Sequence, residues 1–265
     1  MFFRLGIAMS VASASFDLFG WAHLGAIAVT GVAAAGLCVV LRRSAGGPRG
    51  AALSRAICYA LAALLVASWV IDNVVAIARG EWSLQESLPL HLCDIAVIVC
   101  AATLFGLARR PHPRGPSGAR RGALQTASEL AYFWGLAGTT QALLTPDIDD
   151  VFPSVVWLRF FTAHGGIIVA ILVMTIGLKM RPRPGAPVRV WLATAALPLP
   201  VMLIDWLLGA NYMFLCGPPE QPTLYDYLGP WPWTLLSLAI LAAVLMPLCY
   251  LPFWLHDRRT TQAAA

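Results

Sequence analysis

Apolar residues in this chain come in long runs separated by short polar breaks. The runs lie near 21–41, 54–78, 88–108, 122–145, 154–178, 188–210 and 231–255. At about 1.5 Å of rise per helical residue, each is long enough to cross about 30 Å of hydrocarbon. Pro and Gly punctuate the breaks: GGPRG at 46–50, RRPHPRGPSGARR at 109–121, RPRPGAP at 181–187 and CGPPEQP at 216–222. Such clusters end helices and begin turns. The pattern predicts an all-α membrane protein, a seven-transmembrane-helix bundle. Residues 1–20 form an extracytoplasmic lead-in, 21–255 the transmembrane domain and 256–265 a cytoplasmic tail.

Charge along the chain sets the orientation. Basic residues follow the first, third, fifth and seventh runs: Arg42, Arg43, Arg49 and Arg55; Arg109, Arg110, Arg114, Arg120 and Arg121; Lys179, Arg181, Arg183 and Arg189; Arg258 and Arg259. These segments hold 15 of the 18 Lys and Arg. The intervening breaks carry Glu81 and Glu86, then Asp147, Asp149 and Asp150, then Glu220 and Asp226. Basic loops stay in the cytoplasm, so the N-terminus is predicted outside and the C-terminus inside. An incorrect number of spans would break the alternation. Trp82, Trp157, Tyr212, Tyr225, Tyr227, Trp231 and Trp233 cluster at the outer ends as interfacial anchors.

Composition agrees. The 265 residues are 59% hydrophobic and 12% charged, against about 25% charged in a soluble domain. The net charge of +5 belongs to the cytoplasmic loops, so no nucleic-acid partner is expected. MFFRLGIAMSVASAS at the start resembles a signal peptide only faintly, its apolar stretch being short and broken by Ser. Cys38, Cys58, Cys93, Cys100 and Cys249 sit in apolar runs, and Cys216 in a polar loop. No disulfide framework and no CxxC metal spacing is implied. Nothing marks an internal repeat of the transporter kind.

Polar groups inside spans are costly and mark functional sites. Measured from the outer ends, His91, Cys93 and Asp94 lie about 6–10 Å deep, and Asp72 and Asn73 about 10 Å. Gln141 lies at about 6 Å, Arg159 at about 8 Å, His164 at about 15 Å and Asp205 at about 8 Å, with Asn211 at the rim. Five helices thus bring polar residues to one depth, predicting a polar cavity open to the outer leaflet. Glu129 alone falls in the inner half.

Cys93 reads either as a small packing residue or as a nucleophile near a helix N-terminus, where the dipole favours thiolate. His164 can be its base, and Gly165–Gly166 beside it would admit a neighbouring helix or an acyl chain. His91 and Asp94 share a helix face. Cys93 is about 200° round from His91, so the two cannot point at one spot. Arg159 can bind a lipid phosphate or pair with Asp72 or Asp205. No Walker loop, Rossmann fingerprint, HExxH or GxSxG occurs. HLCD spacing is poor for one metal ion, so neither metal nor cofactor is expected.

LPLHLCDIAVI at 88–98, RFFTAHGG at 159–166, GANYMFLCGPP at 209–219, LTPDI at 144–148 and GPWPW at 229–233 together resemble the YwaF-like bacterial integral membrane family. The resemblance runs from about the second apolar run onward. That family is related to vertebrate membrane acyltransferases that act on ether lysophospholipids. The resemblance implies a bacterial cytoplasmic-membrane protein with a phospholipid or lysophospholipid substrate, and Cys93 and His164 as its catalytic pair. His91, Asp94, Asp72, Asn73, Gln141, Arg159, Asp205 and Asn211 would supply oxyanion, phosphate or supporting contacts. A transporter or lipid-binding protein using the same cavity is the alternative, with Glu129 as its inner-half polar group. A structural protein, with the cluster merely tying helices together, is the third reading.

Overall fold

The computed structural model describes residues 16–109, 119–219 and 224–262. Residues 1–15 of the lead-in, 110–118 of the second basic segment, 220–223 of the last acidic break and 263–265 of the tail lie outside the described residues. Among those described there is no strand, and every regular element is helical.

The elements are α1 (Trp21–Arg43), α2 (Gly47–Arg79), α3 (Leu92–Ala108), α4 (Ala119–Trp134), α5 (Thr140–Leu144), α6 (Val155–Leu172), α7 (Ala186–Ala196), α8 (Pro198–Leu208) and α9 (Trp233–Gln262). A π turn over Gly135–Thr139 joins α4 to α5, and another over Val173–Gly177 extends α6. Five helical stretches are long and apolar enough to cross a membrane: Trp21–Arg43, Gly47–Arg79, Val155–Gly177, Ala186–Leu208 and Trp233–Thr260. The α3 helix is apolar but has 17 residues. The α4–α5 stretch carries Arg120, Arg121 and Glu129.

The helix ends follow local chemistry. Pro48 begins α2 inside its first turn, where its missing N–H removes no helical bond. This extends α2 well ahead of its apolar run. Gly80, left-handed at φ 71°, closes α2, and Gly209 at φ 65° closes α8. Ser154 caps α6 by accepting the Trp157 N–H at 3.1 Å. At 88–91 the chain is not helical; the Leu88 N–H is drawn off to the Tyr212 hydroxyl at 2.9 Å.

Lipid-type surface and packed interior are clearly separated. Val32 and Trp206 are 73% and 78% exposed, on helices with no polar face to offer water. Leu65, Leu104, Phe133, Ile167 and Ile171 are fully buried. The α6 helix lies at the centre, packed on α1, α2, α3 and α5. Its glycines allow that closeness. A Cβ on Gly165 would come within 2.6 Å of Thr30 Oγ1 on α1, and one on Gly166 within 3.0 Å of Leu65 on α2. Small residues at a helix crossing let backbones approach in this way.

Candidate functional site

His164 immediately precedes that glycine pair, so tight packing of α6 fixes its height in the bundle. Its Nδ1 meets the Phe160 carbonyl oxygen at 2.9 Å, and its ring stacks on the Phe160 ring with centroids 4.1 Å apart. A carbonyl only accepts, so Nδ1 carries the proton. The neutral ring therefore keeps its free lone pair on Nε2. Cys93 is the second residue of α3, in the first turn with its unpaired backbone N–H groups.

Both side chains line one cavity of about 160 Å³. Asp72, Asp94 and Arg159 line it too, with Val97, Phe160 and Ile167 as apolar wall. Ile148, from the segment leading into α6, also lines it. Arg159 is paired with Asp72 across the α2–α6 seam. No direct hydrogen bond joins Cys93 to His164 among the described residues. The cavity thus holds a thiol, an imidazole with an open nitrogen, an ion pair and a further carboxylate against an apolar wall.

Other residues of the predicted cluster form a second group beside the N-terminus of α3. Asp205, 1% exposed, accepts the Tyr212 backbone N–H on Oδ1 at 2.9 Å, while Oδ2 is buried without a hydrogen-bond partner. The Tyr212 hydroxyl donates to the Leu84 carbonyl and accepts from the Leu88 N–H, both at 2.9 Å. His91 is the N-cap of α3. Its Nδ1 accepts the Met213 N–H at 3.3 Å, and its ring meets that of Tyr212 edge-on. Asn211 bridges its own turn, donating to the Gly217 carbonyl and accepting from the Cys216 N–H. Met213 and Phe214 are both left-handed at φ 56°, a costly conformation for bulky residues. This turn holds the segment entering α3, and so stands behind Cys93 rather than beside it.

Asn73 turns to its own helix, donating to the Trp69 carbonyl and accepting the Trp82 indole N–H, both at 3.0 Å. Gln141 is half-buried on α5 and does not line the cavity. Glu129, 1% exposed, receives Arg183 through its backbone N–H, Nε and Nη2, and Arg189 through Nη2. It fastens α4 to the segment leading into α7. Among the described residues no group of three His, Cys, Asp or Glu could hold a metal ion.

One histidine of structural weight went unnoticed in the sequence. His23, 1% exposed in α1, accepts the Phe19 N–H on Nδ1 and donates from Nε2 to the Leu143 carbonyl at 2.7 Å. A histidine inside an apolar run was the available signal, as for His164. Tyr212 was legible only as an interfacial aromatic.

A helical fold with several membrane-length apolar helices and a lipid-type outer surface defines an integral membrane protein. The TMEM164 family model matches residues 18–250, and the chain belongs to the TMEM164 family. No curated protein and no solved structure gives a significant match.

Proposed function

We propose that this protein is a membrane-embedded enzyme that moves acyl chains on phospholipids or lysophospholipids. We further propose seven crossings with the N-terminus outside and the C-terminus in the cytoplasm of a bacterial inner membrane, and a cavity open to the outer leaflet. One observation carries the chemistry: Cys93 and His164, from different helices, line the same cavity, and the Phe160 carbonyl leaves His164 Nε2 free to act as base.

In the proposed reaction, Cys93 Sγ attacks the ester carbonyl carbon of a donor phospholipid as its proton passes to His164 Nε2. The tetrahedral intermediate collapses to a thioester on Cys93. The C–O bond to glycerol breaks, and His164 returns the proton to the leaving oxygen, releasing a lysophospholipid. An acceptor lysophospholipid hydroxyl then attacks the thioester and gives its proton to His164. Cys93 leaves as thiolate and recovers that proton. Water in place of the acceptor gives hydrolysis. Arg159 is suited to the lipid phosphate, exchanging Asp72 for it.

The binding or transport reading keeps the cavity but loses its inner-half support, because Glu129 is engaged by Arg183 and Arg189. The deciding experiment supplies purified, reconstituted protein with a donor phospholipid and a labelled lysophospholipid. Labelled diacyl product is expected from the wild type, with an acyl adduct on Cys93 by mass spectrometry and neither from Cys93→Ala. Product formation undiminished in Cys93→Ala would overturn the mechanism.

A further inference from the structure

A second cavity, of about 320 Å³, lies on the seam of α1 and α6 away from Cys93. Its floor is Gly31, Ala34 and Ala35 on α1, and its walls include Val39, Leu172 and Ile176. Cys38 Sγ donates to the Leu172 carbonyl at 3.4 Å, which gives that backbone oxygen a partner at the trough wall. The trough starts at Gly31, one residue beyond Thr30, which is packed on Gly165. It ends at Arg42.

Gly31 to Arg42 spans about 16 Å along the helix, close to half of a hydrocarbon core about 30 Å thick. The trough is therefore one leaflet deep, with its charged end at the polar boundary. Arg42 is the arginine that lines this trough. Arg159, Arg181, Arg183 and Arg189 each face a carboxylate, whereas Arg42 has no ion pair among the described residues. The sequence holds no acid anywhere between Asp17 and Asp72. An apolar trough one leaflet deep, ending in an uncompensated guanidinium, matches one molecule in shape and charge.

The geometry points to a bound anionic phospholipid on the basic-loop side of the membrane, one acyl chain along Gly31–Val39 and its phosphate on Arg42. This site is separate from the Cys93 cavity and does not depend on acyl transfer.

Gly31 allows a clean test, because a Cβ there meets nothing within 4 Å. Gly31→Leu puts an apolar side chain at the start of the trough, with open space for its Cβ. Native mass spectrometry of delipidated protein titrated with phosphatidylglycerol or phosphatidylcholine reads the occupancy. Compared with Gly31→Leu, wild type and Cys93→Ala are expected to retain one additional phospholipid, phosphatidylglycerol in preference to phosphatidylcholine. Arg42→Gln should bind phosphatidylglycerol about tenfold more weakly and lose the preference, as expected for one lost charge-assisted bond. Gly31→Leu should lose this additional lipid whichever headgroup is supplied. Millimolar inorganic phosphate should not displace the lipid. Unchanged retention in Gly31→Leu, equal headgroup preference in wild type and Arg42→Gln, or displacement by phosphate alone would each overturn the assignment.

Discussion

Arg159 on α6 and Asp72 on α2 are paired at the wall of the cavity that contains Cys93 and His164. Both side chains are about one-quarter to one-third exposed, while the contacting Arg159 Nε and Asp72 Oδ1 are themselves buried, so an incoming charged group meets the pair through its remaining atoms. If Arg159 exchanges Asp72 for a lipid phosphate, its loss weakens binding more than it slows chemistry. Arg159→Gln is expected to raise KM for the phospholipid donor at least tenfold with kcat little changed, since a hydrogen bond to a charged group contributes about 1.5–3 kcal/mol. Asp72→Asn removes the competing carboxylate and should lower KM. Steady-state kinetics in mixed micelles separates the two. A fall in kcat with constant KM for Arg159→Gln would place Arg159 at the transition state instead.

Cys93 and His164 are expected to act as a unit. Cys93→Ser should lose at least about a hundredfold in acyl transfer, because a hydroxyl is much harder to deprotonate than a thiol, and a positioned base contributes about 10²–10⁴. His164→Ala should lose a similar factor, and the double variant little more. Rates that multiply in the double variant would mean that the two act independently.

Glu129 is the buried hub of an ion cluster with Arg183 and Arg189. Breaking a fully buried pair costs about 3–5 kcal/mol. Both guanidinium groups here reach solvent, at 41% and 44% exposure, which reduces the cost to roughly 1–3 kcal/mol. Glu129→Gln should lower Tm by about 2–10 °C. Arg183→Gln should cost less, because Arg189 still reaches the carboxylate. Thermal denaturation in detergent ranks the variants, and the reverse order would show Arg183 rather than Glu129 to be the hub.

Gly165 and Thr30 offer a packing test of what holds His164 in place. Gly165→Ala pushes a methyl into Thr30 Oγ1, and overpacking of this kind costs about 1–3 kcal/mol. Thr30→Ala removes the clashing hydroxyl and should rescue both stability and activity. A double variant no better than Gly165→Ala would assign the defect to something other than this contact.

Topology is checked by reporter fusions. A fusion within 109–121 should report cytoplasm, and one within 146–152 the exterior. Both reporters on one side would remove the seven-crossing arrangement.

The helices were largely legible because lipid leaves the backbone few alternatives: long apolar runs become helices in which every internal N–H finds a carbonyl. Their ends were less so. The α2 helix starts at Gly47, where glycine and proline suggested a loop, and 88–91 is unwound although it is apolar. At the site, depth arithmetic brought ten polar residues to one level, but depth carries no azimuth. Asp72, Asp94 and Arg159 line the cavity of Cys93 and His164, whereas Asp205, His91 and Asn211 gather at the Tyr212 turn. The angular separation of His91 from Cys93 was readable, because it needs only the helical repeat. The Tyr212 turn was not, because it depends on two left-handed non-glycine residues and a hydroxyl reaching back to Leu84 and Leu88. His23 was overlooked because its partner carbonyl, on Leu143, is 120 residues away.

The π turn at Gly135–Thr139 has a further consequence for comparing relatives of this chain. A π turn amounts to a single-residue insertion within an α-helix, and one residue corresponds to about 100° of rotation. Everything from Thr140 onward is thus out of phase with α4, including the Leu143 carbonyl that receives His23. A relative one residue shorter here would align well by letter while presenting a different side of α5 to α1. Equivalence of positions before Gly135 therefore does not carry over to those after Thr139, and the two stretches are best aligned as separate phases.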